Sequence, residues 1–244
     1  MTRLGFPADR QGMEEVAGII GLPGLEVEGI FTHLAKADEA DKTYTKKQLD
    51  LFRNFFSRVQ EKTGFRFKIK HAANSAAIID HPEAYFDLVR PGIMLYGLKP
   101  SGEVRLERVD LRQAMTLQAR VSYVKEVPAG VPVSYGGRFV TSCHSVIATL
   151  PVGYADGYSR MLTGKTEVIC HGRRAPVVGR ICMDQLMVDV TRVTAPVKQG
   201  DIVTLIGSGG DNFISVDELA EILGTINYEV TCMISARVPR VYQA

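Results

Sequence analysis

The pattern of hydrophobic and polar positions divides the chain into two halves that are built differently. In residues 1–110, short apolar runs alternate with segments whose apolar side chains recur at helical spacing. The runs Gly29–Thr32, Phe65–Lys70 and Leu88–Leu98 are predicted to be strands, and the apolar positions from Leu49 to Val59 predict a helix. Strands separated by helices indicate βαβ units with parallel strand pairing.

The second half, residues 111–244, contains short runs typical of strands, separated by glycine-rich turns. The predicted strands are Ala119–Val127, Ser145–Leu150, Thr166–Cys170, Leu186–Val190, Asp201–Ile206 and Met233–Val238. One helix is expected after Ser215, because Ser215 and Glu218 form a capping box. This pattern favours an antiparallel barrel or sandwich. We therefore predict an α/β domain at residues 1–110 and a mainly β domain at residues 111–244.

Composition and charge narrow the class of protein. The 244 residues are 45% hydrophobic and 23% charged with a net charge of +2, which gives no indication of a nucleic-acid or membrane partner. No apolar run approaches the roughly 20 residues that cross a bilayer, and the N-terminal residues lack the layout of a signal peptide. A cytoplasmic protein is expected. The four cysteines show no C-x-x-C spacing, so we expect reduced thiols, with Cys182 buried and inert.

The segment from Val131 to Arg160 is the most unusual in the sequence, because it is rich in tyrosine, glycine and proline. Tyr135 precedes the pair Gly136–Gly137, which permits a turn with positive φ. The phenol is therefore predicted to lie at the tip of a loop, where it can donate or accept a proton. The alternative is a tyrosine that only caps a hairpin.

Polar segments follow the three predicted strands of the first half. They are His33, Asn74–Ser75 and Arg90–Ile93. Ligands of parallel α/β folds bind at the carboxyl ends of strands. The serine hydroxyl and the N–H groups of Gly92 and Ile93 are therefore candidates to hold a phosphate, next to an arginine that is always charged. Taken singly, the histidine is also explained as a structural residue and the arginine as a surface ion-pair partner.

A series of motifs along the chain resembles the alanine racemase family. They are Met1–Gly5, Thr32–Ala35, His71–Ala76, Val89–Ile93, Tyr96–Gly97, Val133–Gly136, Pro151–Gly157, Gly179–Asp184, Asn227–Glu229 and Arg237–Arg240. Members of that family are homodimeric enzymes that interconvert L- and D-alanine through a pyridoxal 5′-phosphate aldimine and two-base proton transfer, supplying D-alanine for peptidoglycan. The resemblance implies the C-terminal part of a (β/α)8 barrel followed by an all-β domain.

The resemblance also implies a role for each matching residue. Tyr135 is implied to be the acid/base on one face of the substrate α-carbon, reaching the active site of the partner subunit. His33 is implied to hydrogen-bond that phenol, and Arg90 to bond both His33 and the pyridine nitrogen of the cofactor. The residues implied to bind the cofactor phosphate are Ser75, Gly92, Ile93 and Tyr228. The residues implied to meet the substrate carboxylate are Arg3, which also approaches the cofactor's phenolic oxygen, and Met183, through its backbone N–H. The residues implied to line the entrance are Asp38, Tyr154, Arg160, Arg180, Ile226 and Tyr228. No metal ion is implied.

One motif of the family is missing from these 244 residues. The second base of alanine racemases is the lysine that forms the Schiff base, within a Lys-Ala-x-Ala-Tyr-Gly-His-Gly run, and the sequence contains no such run. Lys36-Ala37 instead begins a charged cluster. We expect that roughly the first third of the family's sequence is absent, that the barrel is not closed, and that the chain is inactive unless an N-terminal fragment complements it.

Two alternative functions remain open at this point. The chain can be a non-catalytic fragment or pseudoenzyme that keeps the fold as a scaffold. It can also racemise serine or another small amino acid. The side chains of Tyr154 and Tyr228 favour a substrate side chain as small as the methyl group of alanine.

Overall fold

The structure, a computed structural model, describes residues 1–242 of the chain. It divides into two compact units, residues 1–112 and residues from 113 onward. Within the described residues, no helix combines the length and the apolar character needed to cross a membrane.

The first unit consists of helices around a short parallel pair of strands. In chain order its elements are α1 (Arg10–Ile20), β1 (Gly29–Phe31), α2 (Thr43–Thr63), β2 (Ile69–His71) and α3 (Ser75–Asp80), followed by single 3-10 turns at Pro82–Ala84, Ile93–Tyr96 and Leu106–Arg108. Strand β1 pairs in parallel with β2, with Gly29 opposite Ile69 and Phe31 opposite His71. The predicted βαβ arrangement is therefore present.

The ends of α1 and α2 follow directly from their sequences. The Asp9 side chain accepts a hydrogen bond from the N–H of Gly12 and caps α1. Helix α2 stops at Gly64, which adopts a left-handed conformation with φ of 70° that favours glycine. The predicted apolar face of α2 is buried at Leu49 and Val59, which have no exposed surface. Leu49 packs in one cluster with alanines that follow β2 and alanines of α3, whereas Val59 packs against Met13 and Val16 of α1.

The predicted third strand at Leu88–Leu98 is wrong. Only Leu88 makes a parallel bridge, to His71, and the segment then turns into the 3-10 helix Ile93–Tyr96. Pro91 lacks the N–H that a strand ladder requires, and Gly97 ends the turn with φ of 69°. The polar residues of this segment thus lie in a loop that follows β2 in space.

The second unit is mainly antiparallel β-structure. Its strands are β3 (Leu117–Arg120), β4 (Tyr123–Val127), β5 (Pro132–Val133), β6 (Phe139–Val140), β7 (Ser145–Leu150), β8 (Glu167–Cys170), β9 (Arg173–Val178), β10 (Leu186–Asp189), β11 (Ile202–Gly209) and β12 (Asn212–Ile214). Its helices are α4 (Val216–Leu223) and α5 (Asn227–Met233). Single 3-10 turns occur at Tyr135–Gly137, Tyr154–Asp156 and Arg160–Leu162.

A bend between β3 and β4 closes the main sheet. The strand order is β12-β11-β8-β9-β10-β7-β4, and β3 pairs with β11. Because β3 and β4 are consecutive in the chain, one segment pairs with β11 before the bend and with β7 after it. At the bend, Val121 donates to the Asp201 carbonyl and Ser122 to the Thr149 carbonyl. The sheet therefore closes on itself, as in a barrel.

Two predictions for the second unit need correction. The run Ala119–Val127 is not one strand, because the bend at Val121–Ser122 separates β3 from β4. The run Met233–Val238 is not a strand: Met233 ends α5, and a turn closed by a bond from the Val238 N–H to the Ser235 carbonyl follows. Its alternating apolar residues belong to a helix end and a turn. The predicted strand at Ser145–Leu150 is confirmed.

Candidate functional site

The centre of the candidate site in the first unit is the guanidinium of Arg90. Its Nη2 donates to the carbonyls of Thr32, at 3.0 Å, and Ala72, at 3.1 Å. These carbonyls follow β1 and β2, so the guanidinium joins the carboxyl ends of both strands. Nη2 also lies 3.4 Å from His33 Nδ1, and Nη1 contacts His71 Nδ1. The sequence predicted that Arg90 and His33 meet, but it did not single out His71.

The contacts of Arg90 determine the protonation of both histidines. Arginine has only donors, so each Nδ1 that faces it must accept, and the single proton of each neutral imidazole lies on Nε2. Burial and then the charge of Arg90 hold the pKa of His33 below its ordinary value, with a further contribution from the charge of Arg3. The same two leading causes lower the pKa of His71. His33 therefore presents an N–H donor on the side away from Arg90.

An aromatic ring supports this cluster from β1. The ring of Phe31 stacks on His71 with centroids 5.1 Å apart and planes 9° from parallel. The guanidinium carbon of Arg90 lies 5.5 Å from the centroid of the same ring. Stacking and cation–π attraction both restrict the orientation of the two side chains. The β1–β2 register, which sets Phe31 opposite His71, is the cause of this arrangement.

The loop that carries His33 is held by a residue of α2. Gln48 donates from Nε2 to the His33 carbonyl, at 2.7 Å, and accepts from the Ala35 N–H, at 3.1 Å. Asn74 donates to the Leu34 carbonyl at 3.4 Å and also caps α3. These amide side chains fix the backbone that follows β1 next to the start of α3.

A second polar group in the first unit lies at Ser75. Its Oγ accepts from the N–H of Gly92, at 2.8 Å, and from that of Met94, at 3.4 Å. The hydroxyl hydrogen of Ser75 and the N–H of Ile93 have no acceptor among residues 1–242. A Cβ at Gly92 would meet Ser75 Oγ at 3.6 Å, an ordinary contact, so the glycine leaves open space beside the hydroxyl. These donors fit a phosphate.

The second unit contains an open cavity of about 1080 Å³. It is lined by Tyr135, Tyr154, Arg160, Arg180, Ile181, Cys182, Met183, Asp184 and Gln185. Five of these nine residues were predicted from the sequence, namely Tyr135, Tyr154, Arg160, Arg180 and Met183. Two segments form walls of the cavity: the Tyr154 turn, residues 153–157, and the Met183 loop, residues 180–185.

Tyr135 lies in an exposed turn between β5 and β6, with 71% of its surface accessible. Ser134 has a φ of 62°, and its hydroxyl donates to the Arg180 carbonyl at 2.7 Å. A Cβ at Gly179 would lie 2.7 Å from the Val133 carbonyl oxygen, so this position requires glycine. The turn that carries Tyr135 is thereby docked against the Met183 loop, and Tyr135 forms part of the cavity lining.

The two walls of the cavity are joined through their backbones. The Tyr154 N–H donates to the Cys182 carbonyl and the Ala155 N–H to the Met183 carbonyl, both at 3.0 Å. A Cβ at Gly153 would lie 2.2 Å from the Cys182 carbonyl oxygen, so no larger residue fits there. The Met183 N–H has no acceptor among residues 1–242 and is available to a ligand.

The remaining predicted residues lie elsewhere in the two units. In the first unit, Arg3 is exposed, and Asp38 follows β1 with its carbonyl accepting from Ser101 Oγ at 2.8 Å. In the second unit, Ile226 precedes α5 and is 61% exposed, and Tyr228 lies in the first turn of α5. Neither is part of the cavity lining.

The cysteines differ from the expectation at one position. All four, which lie within the described residues, are free thiols. Cys182 was expected to be buried and inert, but it is half-buried and lines the cavity, with Sγ 3.5 Å from Ser134 Oγ. Cys170, by contrast, is buried, and this burial raises the pKa of its thiol to about 11.

These features define a protein with an α/β unit, an antiparallel β unit and a histidine-flanked arginine at strand ends. Residues 1–100 match the family model described as alanine racemase, N-terminal domain, and residues 114–242 match that of the alanine racemase C-terminal domain. The chain therefore belongs to the alanine racemase family, as its motifs predicted.

Individual relatives agree with this assignment. The chain is 52% identical to an alanine racemase of Methanococcus maripaludis over 99% of its own length and 64% of that protein. A solved alanine racemase of Clostridium difficile matches all of the chain and 62% of its own with a TM-score of 0.93 and 44% identity.

Another solved structure, an alanine racemase of Bartonella henselae with covalently bound pyridoxal phosphate, has a TM-score of 0.83 and 32% identity, and the match covers all of this chain and 64% of that one. The chain thus spans less than two thirds of the length of these relatives. The predicted fold, part of a (β/α)8 barrel followed by an antiparallel β domain, matches theirs.

Proposed function

We propose that this chain provides the cofactor-binding groups and one of the two acid/base residues of an alanine racemase, which interconverts L- and D-alanine. The observation that carries the proposal is the cluster of Arg90, His33 and His71. The permanently charged guanidinium is fixed at two strand ends between the two imidazoles, and its contacts keep the proton of each imidazole on Nε2. The family assignment gives this cluster its chemical context. The cofactor groups lie in the proposed domain 1–110, except for Tyr228, which lies with the acid/base residue in the proposed domain 111–244.

The residues present fit pyridoxal 5′-phosphate. The hydroxyl of Ser75 and the N–H groups of Gly92 and Ile93 would hold its phosphate together with Tyr228, and Arg90 would face its pyridine nitrogen. When bound, this cofactor withdraws electrons from the α-carbon of an attached amino acid and so makes the Cα–H bond acidic. A guanidinium does not give up its proton, so Arg90 leaves the nitrogen opposite it unprotonated. Electron withdrawal is then moderate, which favours prompt return of the proton.

Proton transfer on one face of the substrate is proposed for Tyr135. The Nε2–H of His33 would donate to the phenol oxygen and stabilise its deprotonated form. Arg3 and the Met183 N–H would bind the substrate carboxylate. Asp38, Tyr154, Arg160, Arg180 and Ile226 would line the entrance, and tyrosines there favour alanine over serine or larger amino acids. We propose that Tyr135 acts in the site of a second subunit of a homodimer, as the family resemblance implies.

The second base is proposed to come from a lysine outside these 244 residues. The sequence contains no Lys-Ala-x-Ala-Tyr-Gly-His-Gly run. The same observation favours a second candidate function, a non-catalytic scaffold that binds phosphate compounds. The two candidates differ in one measurable property, namely whether the chain racemises alanine when a segment with that lysine is added.

Substitution of Tyr135 tests the assigned role. In the complemented enzyme, Tyr135→Phe is expected to slow exchange of the Cα hydrogen for solvent deuterium about 100-fold or more for one alanine enantiomer, because one general base is lost. Exchange of the other enantiomer, on the lysine face, is expected to persist. NMR of each enantiomer in D2O measures both rates. The control is Tyr123→Phe, an exposed tyrosine on β4. Equal exchange rates for both enantiomers in Tyr135→Phe would contradict the role.

A further inference from the structure

We propose that Arg237 is a positioning residue that fixes the Tyr154 turn and the Met183 loop relative to each other, and so places the Met183 N–H for the substrate. This inference rests on the function proposed above, because it assigns a purpose to the two walls of the cavity. Arg237 belongs to one of the sequence motifs, but no role was predicted for it.

The guanidinium of Arg237 bridges two carboxylates, one from each wall. Its Nε donates to Asp156 Oδ1 at 2.7 Å, and its Nη2 donates to Asp184 Oδ1 at 2.5 Å. Asp156 belongs to the Tyr154 turn and Asp184 directly follows Met183. A planar guanidinium presents its donors in a rigid fork, so it sets the distance between its two partners more closely than a lysine does.

Asp156 is the fixed end of this bridge. Its side chain is 13% exposed, and its Oδ2 accepts from the Gly153 N–H at 2.8 Å, which closes the Tyr154 turn on itself. Burial tends to raise the pKa of this carboxyl, but the bonds from Arg237 and Gly153 outweigh it and hold the pKa below its ordinary value. Asp156 is therefore ionised at neutral pH and keeps both bonds.

The segment that carries Arg237 is itself anchored to the Tyr154 turn. The Ser235 N–H donates to the Asp156 carbonyl at 3.0 Å. A Cβ at Gly157 would lie 2.1 Å from the Met233 carbonyl oxygen, so backbone packs directly on backbone there. Because the base of Arg237 is held on one wall, its side chain is the part that reaches across to the other, at Asp184.

The alternative explanation is an ordinary surface ion pair. Arg237 and Asp184 are about half exposed, at 47% and 58%, and such pairs contribute little to the stability of a fold. The position of the Met183 loop relative to the Tyr154 turn is a different property from the stability of the fold. Among the residues that the structure describes, the backbone otherwise joins the two walls only through the hydrogen bonds donated by Tyr154 and Ala155. Loss of the bridge therefore affects the opening of the Met183 loop more than global unfolding.

Cys182 provides a local reporter that needs neither cofactor nor catalysis. Its thiol lines the cavity next to Met183. In the 244-residue chain, Arg237→Gln is expected to raise the rate of Cys182 alkylation by iodoacetamide about threefold to tenfold, because the loop opens more often. Peptide mass spectrometry resolves this rate from that of the exposed Cys143, which is expected to stay unchanged. The matched control is Arg192→Gln, an exposed arginine of the same unit.

A second variant keeps the test decisive if Arg237→Gln does not fold. Asp184→Ala removes only the exposed arm of the bridge and is expected to raise Cys182 alkylation in the same way. The double variant is expected to match the single ones, because both substitutions break the same link. If Cys182 in every folded variant reacts at the rate of the unsubstituted chain, the inference is wrong.

Kinetics of the complemented racemase separate positioning from a general structural role. Arg237→Gln is expected to raise KM for alanine about fivefold with a smaller change in kcat, whereas loss of folded protein lowers kcat per chain and leaves KM unchanged. An unchanged KM would overturn the placement of the Met183 N–H. Absence of activity in all forms would count against the proposed racemase function, and the alkylation rates would still decide whether Arg237 fixes the loop.

Discussion

A single guanidinium controls the electrostatics of the first unit. Arg90 donates to Thr32 and Ala72 carbonyls and to the Nδ1 atoms of two histidines, so it holds both imidazoles in one tautomer. A protonated histidine beside this permanent cation would be repelled. The consequence is that the pKa values of His33 and His71 both lie below that of a free histidine, so both imidazoles take up a proton only at a lower pH.

The pH dependence of stability is expected to reflect this pair. The folded-state pKa values of His33 and His71 are lowered, by burial and by Arg90, so the unfolded chain takes up protons first as the pH falls. The free energy of unfolding should therefore decrease below about pH 6.5 and level off once the folded-state values are passed. Urea titrations at about pH 7.5 and pH 5.5 measure the difference. His33→Gln/His71→Gln should show a smaller difference.

The exposed His144 provides the control for this experiment. His144→Gln should keep the full pH dependence of the unsubstituted chain. An undiminished pH dependence in the double variant would show that other groups are responsible.

At this scale the sequence predicts which residues are candidates, and only the fold shows how they are fixed. His33 is found because it follows a predicted strand, whereas Arg90 was selected together with a third strand that does not form. His71 ends β2 and so fits the strand-end pattern, but its contact with Arg90 was missed because strand register, which sets Phe31 opposite it, is not visible in one sequence. Gln48 was missed because a polar residue in a helix is ordinarily exposed to solvent and is not expected to hold a loop.

Among the elements, α4 is held to the sheet by a two-point ion pair. Arg174 of β9 donates to both carboxylate oxygens of Glu218, at 2.7 and 2.8 Å, and to the Phe213 carbonyl at 2.6 Å. Glu218 also donates its N–H to Ser215 Oγ, which caps α4. Of the capping box predicted from the sequence, the Ser215 cap is therefore present, and the Glu218 carboxylate provides the docking contact of the helix with Arg174.

Loss of this contact is expected to destabilise the second unit. Arg174→Met should lower the free energy of unfolding by about 1–2 kcal/mol, because it removes charge-assisted bonds of partly buried groups and leaves the Phe213 carbonyl without its donor. The shift in urea midpoint measures this change. Arg173→Met, at the adjacent exposed position, should have almost no effect. Equal midpoints for the two variants would contradict the assignment.

The elements that the sequence predicts best are those whose local pattern and tertiary environment agree. Strand β7 was predicted with its correct ends because its residues are buried and bounded by turns. The short helix α5 was missed because the residue at its N-cap, Ile226, provides no side-chain cap. The false strand at Leu88–Leu98 arose because an apolar run in a loop has the same composition as a buried strand.

For the whole molecule, the proposed activity is expected to require the lysine of a Lys-Ala-x-Ala-Tyr-Gly-His-Gly run, and the 244-residue sequence contains no such run. Mixing the chain with a separately produced fragment that carries the Lys-Ala-x-Ala-Tyr-Gly-His-Gly run is expected to restore interconversion of D- and L-alanine in the presence of pyridoxal 5′-phosphate. A coupled D-alanine assay measures the activity, and gel filtration measures association of the two parts. A fragment with that lysine replaced by alanine is the control. Association without activity would favour the scaffold function.

The bend at Val121–Ser122 has a consequence for how the second unit comes apart. The strand before the bend pairs with β11, and the strand after the bend pairs with β7, so this segment joins both sides of the sheet. A single proteolytic cleavage at the bend would thus weaken two strand pairings at once. A cleavage in the hairpin between β11 and β12 would leave the closed sheet intact. The closure of the sheet in the second unit therefore depends on the bend at Val121–Ser122.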